Sequence, residues 1–166
     1  IADNAHAFYN EERGNFRKGF LLEDQDKITL DNTLDMSSTY GVYTFGYPVP
    51  REQLLSSIAS IEKELLGSAL IGGVPRYEYD GYFAANPAYK GNPWFVTTLW
   101  LAQYYVRTGD TVRAWDILKW CIKKASPSGT LAGQIHPDTG YVTGVLPLVW
   151  SHAELANTIL DLSTPG

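Results

Sequence analysis

Arg76 and Asp80 are the residues whose types and spacing most suggest ligand chemistry in this sequence. They lie in Gly73-Val-Pro-Arg-Tyr-Glu-Tyr-Asp-Gly-Tyr-Phe83, a stretch without regular period that precedes Gly91-Asn-Pro-Trp-Phe95. A guanidinium presents a fixed fork of donors, which can hold two vicinal hydroxyls or pair with a carboxylate that does so. The alternative is an Arg–Asp surface pair, which contributes little energy. A second segment, from Ser128 to Glu154, offers His136, Asp138 and Glu154 as groups able to move a proton. Asp138 lies in a Pro-Asp-Thr-Gly turn and is expected to bond its local backbone. Glu154 falls early in a helix, where carboxylates favour the positive end of the dipole. His136, followed by Pro137, reads as a structural hydrogen-bonding residue. None of the three makes a convincing general base.

Within that second segment, Leu131-Ala-Gly-Gln134, a Thr-Gly turn and Pro147-Leu-Val-Trp-Ser-His-Ala153 follow one another. This order resembles the last catalytic motif of glycoside hydrolase family 15, the glucoamylases, glucodextranases and related trehalases. The first loop is similar to the same family's Gly-x-x-Arg-Tyr segment before Gly-Asn-Pro-Trp-Phe. The resemblance implies that Arg76 and Asp80 contact sugar hydroxyls, with Asp80 the looser match, and that Trp94 helps to shape the pocket. It implies that Trp150 and His152 pack behind the site. It also places Gly133 where the family carries its general-base Glu.

Inverting hydrolysis needs two carboxyl groups roughly 6.5–9.5 Å apart, one giving a proton and one activating water. A base must reach the water it deprotonates, and glycine offers no side chain to do so. The acid that the resemblance implies sits in a Trp-Glu-Glu type segment, which does not occur here. The expectation is therefore a segment of a glucoamylase-like inverting hydrolase for α-linked glucans or α-glucosides, its base lost and its acid outside these residues. The rival is a non-catalytic sugar-binding or regulatory module of the same fold.

Other constellations fail sooner. Gly72-Gly73 is followed by no Gly-Lys-Ser/Thr, so no phosphate loop forms. Ser37, Ser38 and Ser151 lack a nucleophile-elbow context, and Asp24 and Asp26 do not continue into a calcium loop. The single Cys121 excludes an internal disulfide and reads as a buried, inert thiol. His6, His136 and His152 have no zinc-ligand spacing. No metal and no cofactor is expected.

The elements that must position these residues are mostly helical. Apolar residues recur at helical spacing from Arg51 to Leu66, with Gly67 to close the helix. Asn92 is expected to cap a second helix, with Pro93 at its first position. Thr108-Gly109-Asp110 ends that helix and caps the next, whose buried stripe is Ala114, Ile117, Leu118 and Cys121. A last helix is expected from about Leu148 to Leu162. In the front third, Ala2 to Tyr9 reads as a helix end, Phe16 to Ile28 as a short hairpin around 23–26, and Leu34 to Phe45 as another helix. That makes about six helices in antiparallel pairs, all-α and a single domain over 1–166. The resemblance implies the C-terminal half of an (α/α)6 toroid, whose central funnel both loops would face.

Bulk composition fits such a body. Hydrophobic residues make up 45% and charged residues 19% of the 166, an ordinary globular balance. The net charge of −5 comes without a basic patch, which argues against nucleic acid as a partner. The cluster Lys119 to Lys124 reads as the solvated side of a helix. No apolar run approaches a membrane span. The compartment stays open, with a soluble cytoplasmic protein favoured. Half a toroid would expose helix faces, so the expected partners are carbohydrate and either the N-terminal half of the parent or a second copy.

Overall fold

A computed structural model describes residues 7–22 and 27–164. Chain order begins with β1 (Tyr9–Asn10), β2 (Asn15–Leu22) and β3 (Ile28–Leu34), an antiparallel sheet in the order β1-β2-β3. Next come α1 (Met36–Thr44), α2 (Arg51–Ile61) with a π-helical extension over Glu62–Leu66, α3 (Phe95–Arg107) and α4 (Thr111–Lys124). A two-stranded ribbon, β4 (Gln134–Ile135) with β5 (Val142–Thr143), precedes α5 (Val149–Ser163).

The centre is α3. Its residues Phe95 to Tyr105 are all buried, and a helix buried all round must be enclosed by other elements. α4 and α5 pack along it and α1 touches it too. Asp110 caps α4 as expected, accepting from the Arg113 amide at 3.1 Å. Asp35 caps α1 through the Ser38 amide. Cys121 lies fully buried in the α4 stripe, and burial pushes its thiol pKa up. No described helix is long and apolar enough to cross a membrane.

Several expectations change. The body is helical but not all-α, because the front third forms the three-stranded sheet, and among the described residues five α-helices stand where about six were expected. The first expected helix, Ala2 to Tyr9, lies partly outside the described residues; Ala7 and Phe8 have 3₁₀ geometry and Tyr9 pairs with Phe16 in the sheet. The hairpin extends on to Leu34, and its tip at 23–26 lies outside the described residues. The helix expected to begin at Pro93 starts two residues later, with Trp94 as its extended cap at φ −109° and ψ 140°. The reason is backbone pairing. Trp94 donates to the Val74 carbonyl at 3.0 Å, and the Pro93 carbonyl accepts from Ile135 at 3.0 Å. These bonds draw the chain into a strand-like crossing before it can coil.

Candidate functional site: a crossing of two loops on Trp94

Three short segments run side by side at the N-terminal end of α3. Trp94 bridges antiparallel to Val74 on one side and to Gln134 on the other. Thus the loop over 72–91 and the loop over 128–147 meet on one residue. The joint is reinforced by the helix itself. The first amide of α3, on Phe95, lacks an intrahelical acceptor and donates to the Gly133 carbonyl at 3.2 Å. Thr98 and Thr97 exchange hydroxyl bonds with the Val74 amide and carbonyl at 2.9 and 2.6 Å. The buried amides of Asn92 and Gln134 pair at 2.8 Å, so Asn92 clasps the two loops instead of capping the helix. Close approach requires glycine at position 73, where φ is +89° and a Cβ would meet Trp120 at 2.6 Å.

The ligand-facing chemistry is built on this crossing. The Met36 amide donates to the Arg76 carbonyl at 2.9 Å, which docks the first loop beside α1. Arg76 then grips Asp80 with both Nε and Nη2 at 2.7 Å. Asp80 is 1% exposed and also accepts from the Tyr82 amide. Its carboxylate is spent on holding the guanidinium, while Arg76 itself stays partly open. Hydrogen bonding to Asp80, opposed by burial, raises the Arg76 pKa and keeps the group charged. The guanidinium carbon lies 4.5 Å from the Trp94 ring centroid and 5.1 Å from that of Tyr82, distances at which a cation is attracted to the ring face. Two residues flanking Asp80, Tyr79 and Phe83, hold left-handed backbone at φ 59° and 51°. Such strain persists only where neighbours impose it; here the Tyr79 amide is tied to the Lys90 carbonyl and the Phe83 carbonyl to Asn92.

Gly133 faces the other part of the same indole. A Cβ built there would stand 3.2 Å from Trp94 Cζ3 and 3.3 Å from Leu148 Cδ2, tighter than ordinary packing. The Gly133 amide is held by the Val145 carbonyl at 2.9 Å. Arg76, Trp94, Trp100, Trp150, Ser37 and Thr97 line a small cavity of about 30 Å³. Two of these lining side chains, Trp94 and Trp100, have a buried indole Nε1 with no acceptor among the described residues. Unsatisfied buried polar atoms are rare and call for an explanation. A larger cavity of about 320 Å³ lies elsewhere, against Phe8, Phe16, Val42 and Phe45. Its lining is almost wholly apolar, with the Ser38 and Tyr47 hydroxyls but no charged group, so the smaller cavity, which holds Arg76, is the better candidate.

The proton-moving candidates are placed apart from that indole. Asp138 does not bond its own turn. It accepts from Asn86 Nδ2 at 3.1 Å and from the Tyr89 hydroxyl, clipping the second loop to the first. Those bonds, Tyr89 first, lower its pKa. His136 accepts the Asp138 amide on Nδ1 at 3.2 Å, the structural role expected of it. His152 lies behind the second loop, where Nε2 accepts the Leu131 amide at 3.0 Å. Trp150 is not behind the site but at its edge, 51% exposed and lining the cavity. Glu154 does not serve the helix dipole from the surface; it is 7% exposed and faces α3. Trp100 and the Asn92–Gln134 pair went unrecognised as site residues in the sequence. The aromatic richness was the available signal, and it could not say which rings share a cavity. No group of three or more His, Cys, Asp or Glu among the described residues could hold a metal ion.

Comparison with known proteins supplies the frame for this geometry. The family model described as glycosyl hydrolases family 15 matches residues 3–160. An uncharacterized glycosyl hydrolase of Methanocaldococcus jannaschii is 32% identical over 155 residues, covering 82% of this chain and 24% of the relative. Trehalase 1 of Sulfolobus acidocaldarius is 29% identical, covering 84% of this chain and 23% of the relative. The chain thus spans about a quarter of the length of these curated relatives. Among solved structures, a wild-type glycosidase superposes with a TM-score of 0.72 at 23% identity, over 97% of this chain and 42% of the other. A bacterial glucoamylase complexed with acarbose gives 0.67 at 22% identity, over 87% of this chain and 22% of the other. At these identities the two solved structures speak to the fold.

Proposed function

We propose, from the premise that this chain belongs to glycosyl hydrolases family 15, that it forms the sugar-holding part of a glucoamylase-like inverting hydrolase frame for α-linked glucans or α-glucosides. Its residues would make up the C-terminal half of the (α/α)6 toroid. The general-base position is taken by Gly133, and the general acid would come from outside these residues. One observation carries this reading: Arg76 and Gly133, from two distant loops, lie against the same Trp94 indole. A hexose seated there would meet the one guanidinium nitrogen not engaged with Asp80. Trp94 would shape the floor, and Asp80 would act by fixing the guanidinium. Two structural neighbours support carbohydrate as the ligand class, a glycosidase in complex with glucose and a glucoamylase complexed with acarbose.

Water on the far side of the sugar would find no carboxylate at Gly133, so the chain should bind without turnover. Incubation with maltose, soluble starch and trehalose tests this directly. Glucose release above about 1 s⁻¹, an ordinary enzymatic rate, overturns the assignment of Gly133.

The second reading, a non-catalytic sugar-binding or regulatory module, is favoured by one detail. Trp94 and Leu148 have closed over the space from which a longer side chain at 133 would start. Calorimetry with glucose and maltose, comparing the chain with Arg76→Ala, tests binding under either reading; absence of heat with both sugars removes both. Exposed apolar side chains such as Leu70 at 77%, Val149 at 79% and Leu160 at 64% support a protein partner, either the remainder of the toroid or a second copy. A strictly monomeric species in sedimentation at high concentration would remove self-association.

A further inference from the structure

We infer that Glu154 is a positioning residue for this site: from behind, its buried carboxylate sets the indole of Trp150 as the outer wall of the cavity that Arg76 and Trp94 share. The inference rests on the sugar-binding reading above and gives that site a residue which no comparison assigns.

Glu154 lies on α5 and is 7% exposed. Its Oε1 accepts from Trp150 Nε1 at 3.0 Å and its Oε2 from Gln103 Nε2 at 2.8 Å. Gln103, itself buried on α3, also donates to the Thr158 hydroxyl at 3.3 Å, and that hydroxyl donates to the Glu154 carbonyl at 2.8 Å. Both donors to the carboxylate are neutral, and no lysine or arginine among the described residues lies within ion-pair distance. Burying a charge without a cation is costly. Packing α3 against α5 therefore does not explain a glutamate here, since an uncharged side chain of similar volume would do that at lower cost. What the carboxyl adds is grip, because its two oxygens accept from Trp150 and Gln103 at once.

That grip falls on a residue that needs it. Trp150 is half-exposed at the cavity mouth. Its ring meets Trp100 edge-on with centroids 5.5 Å apart, and Trp100 stacks on Tyr40 at 4.1 Å. An indole held at Nε1 and braced along one edge cannot swing away. It presents a fixed apolar face beside the Arg76 guanidinium, which suits the C–H face of a neutral pyranose.

The experiment uses the whole chain and maltose as the probe. Wild type, W150F, E154M, E154Q and W150F/E154M are titrated by calorimetry, with thermal unfolding recorded for each. E154M removes the acceptor and the buried charge while keeping volume. The Gln103 amide loses an acceptor, so E154M should fold but unfold somewhat earlier than wild type, and bind maltose about tenfold more weakly. W150F should lose a similar factor and the double variant no more than either single, since the two act as one unit. E154Q should retain affinity within about threefold, because its carbonyl still accepts from Trp150 and the Gln103 amide can turn. In proton NMR, the indole resonance absent from W150F should move in E154M and stay in place in E154Q. E154M binding maltose as wild type does, or failing to fold, overturns the assignment. Wild type that gives no heat with maltose instead overturns the sugar reading, and this inference with it.

Discussion

The guanidinium carbon of Arg76 lies 4.5 Å from the ring centroid of Trp94. The residues come from segments separated by a strained, aromatic loop, and Trp94 in turn is bridged to both Val74 and Gln134. One indole therefore links the cation of one loop to Gly133 of the other. The site behaves as a unit, which is what its variants should report.

Arg76→Lys should be damaging despite conserving charge. A lysine cannot reproduce the two bonds that Arg76 makes to Asp80, and Asp80 at 1% exposure has no water to turn to. Losing one of two hydrogen bonds to a charged group costs about 1.5–3 kcal/mol. Urea unfolding of R76K should show a loss of that order, and an unchanged midpoint would mean that Asp80 finds another partner.

Gly133→Ala tests the crowding at position 133. The added carbon would sit 3.2 Å from Trp94 and 3.3 Å from Leu148, and overpacking of this kind costs about 1–3 kcal/mol. G133A should unfold at lower urea with altered tryptophan emission. Equal stability with an unaltered spectrum would show that the indole yields freely.

Glu78 should govern acid stability. Burial alone would raise its pKa, but bonds from Arg13, the Leu34 amide and Lys90 outweigh that and hold the carboxyl at about 2, against an ordinary 4.5. A folded-state pKa below the unfolded one means that the unfolded chain takes up the proton first. The stabilisation is therefore whole above pH 4.5 and is lost as pH falls from there towards 2. Urea midpoints measured down this range should drop steeply for wild type. E78Q should begin lower and change less, and parallel curves would contradict the assignment.

The clip between the two loops is a separate and weaker device. Asp138 accepts from Asn86 and Tyr89 across the surface, and Tyr89→Phe removes one bond without touching the core. Amide exchange over 84–91 should quicken by roughly tenfold while α3 amides stay protected, because local opening is independent of global unfolding. Faster exchange throughout α3 would show instead that the clip supports the whole body.

Local signals carried far along this chain. The period of apolar residues marked α2, α4 and α5, Asp110 capped its helix, and the two loops stood out by their glycines and aromatics. Where local signals failed, a distant partner had intervened. Pro93 reads as a helix start, yet Trp94 pairs with Val74 and Gln134 and delays the coil. Glu154 reads as a solvated first-turn carboxylate, yet Gln103, 51 residues away, draws it inward. Ala2 to Tyr9 reads as a helix end, yet Phe16 offers Tyr9 a strand partner.

By itself the sequence determined the family, the helical body and the absence of a carboxylate at 133, because residue identity and short-range periodicity are written directly in the chain. Only the tertiary structure decided that Asp80 serves Arg76 from a buried position, that Trp150 edges the cavity and that Glu154 stands behind it. Those facts depend on hydrogen bonds and ring contacts between residues brought together by packing. Packing joins partners according to shape and unsatisfied polarity, which no spacing along the chain encodes.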